Sequence, residues 1–129
     1  MASRAAKVKA RKKIPAVFFT TEKNKKNNEP VRDWLKSELT PAERKLVGQD
    51  IATVEFGWPI GMPTCPPLGD GLHEVRTNLP NRIVRVLFYV DARQRMVLLH
   101  GFIKKIQQTP PSDRAIAATR KAVHEQGLK

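Results

Sequence analysis

The sequence predicts an α+β fold in the order β-α-α-β-β-β-α: a twisted, mainly antiparallel sheet with a helix hairpin on one face and an open, concave second face. Three observations carry this expectation. Thr40-Pro-Ala-Glu43 is a capping box with proline at the first helical position. Three β-prone runs separated by turn-length spacers fill the stretch from Leu72 to Lys104. With 129 residues, 40% of them hydrophobic, the chain has room for one packed core and is too apolar for wholesale disorder.

Taken in order, residues 1–14 read as a basic, disordered tail and residues 15–126 as one domain. Pro15-Ala-Val-Phe-Phe-Thr-Thr21 is short, apolar and β-prone, so it reads as the first strand, and the polar patch Glu22–Asn28 as a loop. A helix opens at Asn28 or Glu29, with Pro30 in its first turn and Val31, Trp34, Leu35 and Leu39 on one side. The Thr40 box starts a second helix that buries Leu46, Val47, Ile51 and Val54 and ends near Gly57. Residues 57–71 hold four prolines and several glycines, which predicts a connection without regular structure. Leu72–Thr77, Arg82–Asp91 and Met96–Lys104 then form an antiparallel meander. After Pro110-Pro111 a polar, Ala-rich stretch reaches Gly127, with Ala115, Ile116, Thr119 and Val123 as the narrow apolar stripe of a last helix.

Lys and Arg number 24 against 12 acidic residues, a net charge of +12 and a pI near 10.4. Six of the positive charges lie between Arg4 and Lys13 with no acid among them. A balance this basic points to polyanionic partners, nucleic acid first. One cysteine, Cys65, rules out an intramolecular disulfide and a cysteine zinc cage, and fits a reducing cytoplasm. No apolar run approaches a membrane span, and no signal-peptide pattern follows the basic start. Phosphate-binding glycine loops, a nucleophile elbow and metal-ligand spacings are all missing, so no cofactor is expected.

Strand side chains alternate between faces. In Arg82–Val90 the set Val84, Val86, Phe88 and Val90 is core, which sends Arg85 and Tyr89 to the opposite, open face. The same alternation groups Glu74 with Arg76, and His100 with Phe102 and Lys104, leaving Val97, Leu99 and Ile103 for the core. The expected open face therefore gathers Glu74, Arg76, Arg85, Tyr89, His100 and Lys104, with Lys105 at its edge. Each residue also has a plainer reading. Glu74 and Arg76 suit a mutual ion pair, His100 a hydrogen-bonded structural histidine, Tyr89 and Phe102 packing, and His124 surface decoration.

Gly71-Leu-His-Glu-Val-Arg76, Arg85-Val-Leu-Phe-Tyr89 and Leu98-Leu-His-Gly-Phe-Ile-Lys-Lys105 resemble the RelE/ParE superfamily of bacterial toxins, in particular its HigB-like, phage-derived Gp49-like branch. Glu29-Pro-Val-Arg-Asp-Trp-Leu35 and Asp50-Ile-Ala-Thr-Val-Glu-Phe-Gly-Trp-Pro59 resemble the same branch, so the similarity spans about residues 15–125. The resemblance implies a toxin of a type II toxin–antitoxin system. It would be a cytoplasmic mRNA interferase, acting on the ribosome and neutralised by a helix-turn-helix, HigA-like antitoxin. It carries Arg76, Arg85, Lys104, Lys105 and His100 over as the catalytic cluster. His73 departs from the pattern, standing where a large aromatic is expected. The ParE branch poisons gyrase, so a non-enzymatic toxin and an inactive nucleic-acid-binding partner of an antitoxin both stay open.

The residue types suit metal-free RNA cleavage. Arginines recognise phosphate bidentately, lysines supply point charges, and histidine is the side chain whose ordinary pKa suits proton transfer near neutrality. Glu74, Tyr89 and Phe102 are the expected substrate contacts, the glutamate as a weaker base and the rings as stacking platforms.

Overall fold

The computed structural model of the chain describes residues 11–23, 26–59, 67–104 and 108–128. Its main sheet has five strands in the order β1-β7-β6-β5-β4: β1 (Ala16–Phe18), β4 (Pro67–Gly69), β5 (Leu72–Leu79), β6 (Arg82–Val90) and β7 (Met96–Lys104). β1 pairs with β7 in parallel; β4 to β7 pair antiparallel in chain order. Helices α1 (Pro30–Glu38) and α2 (Pro41–Gly57) cover one face, and α3 (Pro111–Gly127) lies against the other. The expected α+β architecture with its meander and helix hairpin is present.

Local chemistry accounts for the hairpin. Pro30 occupies the first position of α1, whose Val31 is buried while Trp34 and Leu35 pack against the core. At Thr40 both bonds of the capping box form: its hydroxyl accepts the Glu43 N–H at 3.2 Å, and the Glu43 carboxylate accepts the Thr40 N–H at 3.0 Å. Arg44 donates to the Leu39 carbonyl at 2.7 Å, satisfying the end of α1 from the first turn of α2. Val47, Ile51 and Val54 are buried as expected; Leu46 is not, and stands exposed on the solvent side of α2.

The domain begins before residue 15. The Lys13 and Ile14 N–H groups both donate to the Glu55 carbonyl, the Glu55 carboxylate takes the Ala16 N–H at 2.7 Å, and Lys12 pairs with it at 3.1 Å. Ile14 is fully buried, so Lys12–Ile14 dock on α2; residues 1–10 of the basic segment lie outside the described residues. Two stretches read as loops contain strands. Thr21–Lys23 (β2) and Lys26–Asn28 (β3) pair antiparallel, and Pro67–Gly69 forms the edge strand β4. Polar and proline-rich composition argues against central strands only, and all three are short and peripheral.

The register of β6 against β7 shifts between Leu87 and Phe88: Leu87 faces His100 while Phe88 faces Leu98. Leu99 is thus an extra residue, and simple alternation along β7 fails there. Val97 and Leu99, expected with Ile103 in the hairpin-side core, join Phe19, Leu72, Leu87 and Tyr89 beneath α3; Met96, Leu98 and Ile103 face the hairpin. Beyond the bulge Gly101 faces α1, where Trp34 covers it so closely that a Cβ there would lie 2.6 Å from the ring.

Helix α3 docks by a face other than the one its apolar residues define. Ile116 and Val123 are 38% and 50% exposed, Ala115 and Thr119 are exposed too, and Ala117 is the one buried residue of the helix. Its inward side carries Asp113, Arg120, Lys121 and His124, which hold the sheet through polar and ring contacts. Hydrophobic periodicity locates a buried face only where apolar burial does the docking.

Candidate active site

The face expected to be open is covered over its β6–β7 part by α3, and this sets the site's geometry. Glu74 and Arg85 are fully buried, while the Arg76 side chain keeps 18% exposure. Arg76 and Arg85 sit directly opposite each other on β5 and β6, and Arg85 faces Phe102 on β7. Two like charges opposed on neighbouring strands repel unless an anion intervenes. Glu74 supplies it: Oε1 accepts Arg76 Nε at 2.6 Å and lies 3.5 Å from Arg85 Nη1, while Oε2 accepts the Thr109 hydroxyl at 2.7 Å. Burial lowers the pKa of Arg85, and the neighbouring Glu74 carboxylate opposes that fall. A guanidinium stays charged under such conditions.

The array continues across β7. The Arg85 guanidinium lies 5.9 Å from the centre of the Phe102 ring, and the His100 ring stacks on Phe102 at 5.8 Å with 22° between planes. His100 Nε2 is 2.7 Å from Asp113 Oδ1 in the first turn of α3. Arg76, Glu74, Arg85, Phe102, His100 and Asp113 thus form one connected row from β5 to α3. Beside it, between the β4–β5 edge and the first half of α3, opens a pocket of about 750 Å³ that Arg76, Thr109 and Arg114 help to line.

Most of the expected site residues are brought together here, with two differences. Arg85 does not project into solvent but is fully buried, with the Phe102 ring centre 5.9 Å from its guanidinium; it holds Glu74, and Glu74 holds Arg76. Tyr89 and Phe102 are buried, 3% and 6% exposed, so neither ring is offered to a base. Tyr89 lies towards the other end of α3, with Lys121 Nζ 5.3 Å from its ring centre and His124 edge-on at 5.8 Å. Burial, with the charges of Glu125 and Asp91, raises its pKa to about 12. Lys104 is exposed at the end of β7, and Lys105 lies outside the described residues.

His124 is no surface decoration. Its Nε2 is 3.0 Å from Asp91 Oδ2, which also takes Arg95 Nε at 2.9 Å, while Asp91 Oδ1 accepts the N–H groups of Arg93 and Arg95. Burial alone would raise the Asp91 carboxyl, but the His124 bond and the Arg95 contacts outweigh it and hold the pKa at about 2. This cluster closes the β6–β7 turn on the far end of α3. His73, at the position where the resemblance implies a large aromatic, stacks on Phe88 at 5.4 Å and meets Trp58 edge-on at 4.8 Å; burial lowers its pKa. It fills the space of an aromatic ring on the hairpin side.

Asp113, Thr109 and Arg114 escape sequence reasoning. Pro110-Pro111 fixes where α3 starts and hence puts Asp113 in its first turn, but no local signal ties it to His100. Among the described residues no group of three or more His, Cys, Asp or Glu side chains is placed to hold a metal ion, and no helix is long and apolar enough to cross a membrane. Residues 33–122 match the family model described as phage-derived protein Gp49-like (DUF891), a span that includes every residue of the row and Arg114. No curated protein matches the chain.

Proposed function

The chain belongs to the phage-derived Gp49-like family, a RelE-type, toxin-like family, and from that premise we propose that it is the toxin of a type II toxin–antitoxin pair and cuts mRNA as a metal-independent endoribonuclease. The observation that carries this reading is the Arg76–Glu74–Arg85 array with the His100–Asp113 pair beside it, on one face of the sheet. Pentacoordinate phosphorus carries more negative charge than the phosphodiester it forms from, and preorganised guanidinium donors stabilise that difference. Arg76 is the guanidinium that meets the phosphate. Glu74 orients it through Nε, and Arg85 is a positioning residue that holds Glu74 in place. Both Glu74 oxygens are engaged, so this carboxylate organises the site and is not the base.

His100 is the proton acceptor. With Nε2–H donated to Asp113, the Nδ1 lone pair takes the proton of the substrate's 2′-hydroxyl. The 2′-oxygen attacks phosphorus, the bond to the 5′-oxygen breaks, and the proton returns from Nδ1 to that leaving oxygen. The products are a 2′,3′-cyclic phosphate and a 5′-hydroxyl. Lys104 and Lys105 add point charges along the flanking backbone, and the net charge of +12 draws the polyanion in. Action on ribosome-bound mRNA in the cytoplasm and neutralisation by a helix-turn-helix antitoxin complete the reading, on family resemblance.

The test is direct. Induced expression should arrest growth, and purified protein should cut RNA in EDTA, assayed with and without ribosomes. Growth arrest with intact RNA under both conditions would favour the protein-blocking toxin instead.

A further inference from the structure

We propose that the pocket between the β4–β5 edge and α3 is a single-nucleotide subsite that selects guanosine in single-stranded RNA; this rests on the endoribonuclease reading and adds what the substrate must carry. At about 750 Å³ the pocket is of a size that holds small ligands. Its lining divides by chemistry. Leu68, Leu72, Pro111 and Ala115 give an apolar wall on which a base packs. Arg76 and Arg114 are the cations, suited to the phosphate attached to that base. Asp70 and Gln108 are the polar side chains left to meet the base edge.

That last pair favours one base. Guanine presents two adjacent donors, N1–H and the N2 amino group, next to the O6 acceptor. A carboxylate accepts both donors together, and a carboxamide N–H donates to O6. Adenine and cytosine show one amino donor beside an acceptor nitrogen, and uracil shows one N–H between two carbonyls that repel a carboxylate. The backbone places Asp70 at a sharp turn on the pocket rim. Gly69, Asp70 and Gly71 have φ of 89°, 55° and 78°, three successive left-handed residues that turn the chain sharply from β4 into β5.

The subsite is physically joined to the row of charged residues. Arg76 and Thr109 line the pocket and also bond Glu74. A base seated there therefore fixes which phosphodiester lies at Arg76, so base choice and cleavage position are set by one contact surface.

Fluorescently labelled 2′-O-methyl oligonucleotides, which bind without being cut, test this with the full chain. Each carries one G, A, C or inosine in a uridine background. The G oligonucleotide should bind roughly tenfold more tightly than the others, with inosine, which lacks the N2 amino group, losing most of that advantage. Asp70→Asn should abolish the preference; asparagine accepts a left-handed backbone readily, so the turn survives. Arg114→Ala, on an exposed residue, should weaken all the oligonucleotides alike, as loss of a phosphate contact does. Equal affinities, or a G preference untouched by Asp70→Asn, would overturn the subsite while leaving RNA cleavage standing. Failure to bind any of the oligonucleotides would likewise overturn the subsite, and loss of RNA cutting in EDTA both with and without ribosomes would overturn the endoribonuclease reading as well.

Discussion

Beneath α1 and α2 the sheet is closed by Val31, Val47, Val54, Val75, Val86 and Phe88, whereas beneath α3 it buries Glu74, Arg85 and Asp91 among its apolar residues. The first face is held by apolar burial, which is non-directional and proportional to area. The second is held at both ends of α3 by histidine–carboxylate pairs, His100–Asp113 and His124–Asp91, and in the middle by Arg120, which donates to the Leu99 carbonyl at 2.7 Å. That carbonyl belongs to the bulge residue of β7, so the irregularity in the strand is what the helix grips. One face is scaffold. The other orients charged groups, and the family's chemistry is proposed there.

The contrast breaks most severely at Glu74. Glu74→Ala removes the buried carboxylate that bridges the Arg85 and Arg76 guanidinium groups, and should cost about 3–5 kcal/mol of stability, read by denaturant unfolding. The same reasoning makes Arg85→Ala destabilising, since it strips the buried Glu74 carboxylate of a cationic neighbour. A Glu74→Ala variant as stable as the parent would mean that the two arginines need no buried counter-charge.

On the scaffold face the sensitive position is Gly101. Gly101→Ala drives a methyl group into the Trp34 ring and should cost roughly 1–3 kcal/mol by overpacking. Trp34→Leu in the same chain should recover part of that loss, since the two sites share one space. Additive losses would show that the ring has room to move.

How much of this was legible follows the same division. The alternation in β6 correctly separated Val84, Val86 and Phe88 from Arg85 and Tyr89, and the Thr40 capping box set the start of α2, because both are local rules. In β7 alternation fails at Leu99, since a bulge leaves no mark in composition. Apolar periodicity puts Ile116 and Val123 on the buried side of α3, whereas the helix docks through Asp113, Arg120 and His124. The grouping of Glu74, Arg76, Arg85, His100 and Phe102 on one face survived, since period two pairs Glu74 with Arg76 and His100 with Phe102 within their strands and the bulge lies outside both pairs. The expected exposure of that face did not, because the burial of Glu74, Arg85 and Phe102 depends on contacts such as Thr109 with Glu74 that lie far apart in the chain.

A smaller effect sharpens the electrostatic side of the comparison. The Asp91 carboxyl has a pKa of about 2 in the fold against an ordinary 3.8, so the folded state binds its proton less readily than the unfolded chain. Its contribution, about 2 kcal/mol, is complete above the unfolded value and drains away as pH falls through the folded one, roughly between pH 4 and 2. Asp91→Asn should be less stable near neutrality and show a flatter stability profile over that window. An unchanged profile would place the acid sensitivity elsewhere.

The central claim is that the α3 face performs metal-free cleavage through the substrate's own 2′-hydroxyl. Mass spectrometry of the RNA fragments made in EDTA tests it most directly, with a matched substrate carrying a single 2′-deoxy residue at the cut site. The expected products end in 2′,3′-cyclic phosphate or 3′-phosphate and begin with 5′-hydroxyl, and the deoxy substrate should bind but stay whole. Fragments beginning with 5′-phosphate, or efficient cutting of the deoxy substrate, would contradict the account.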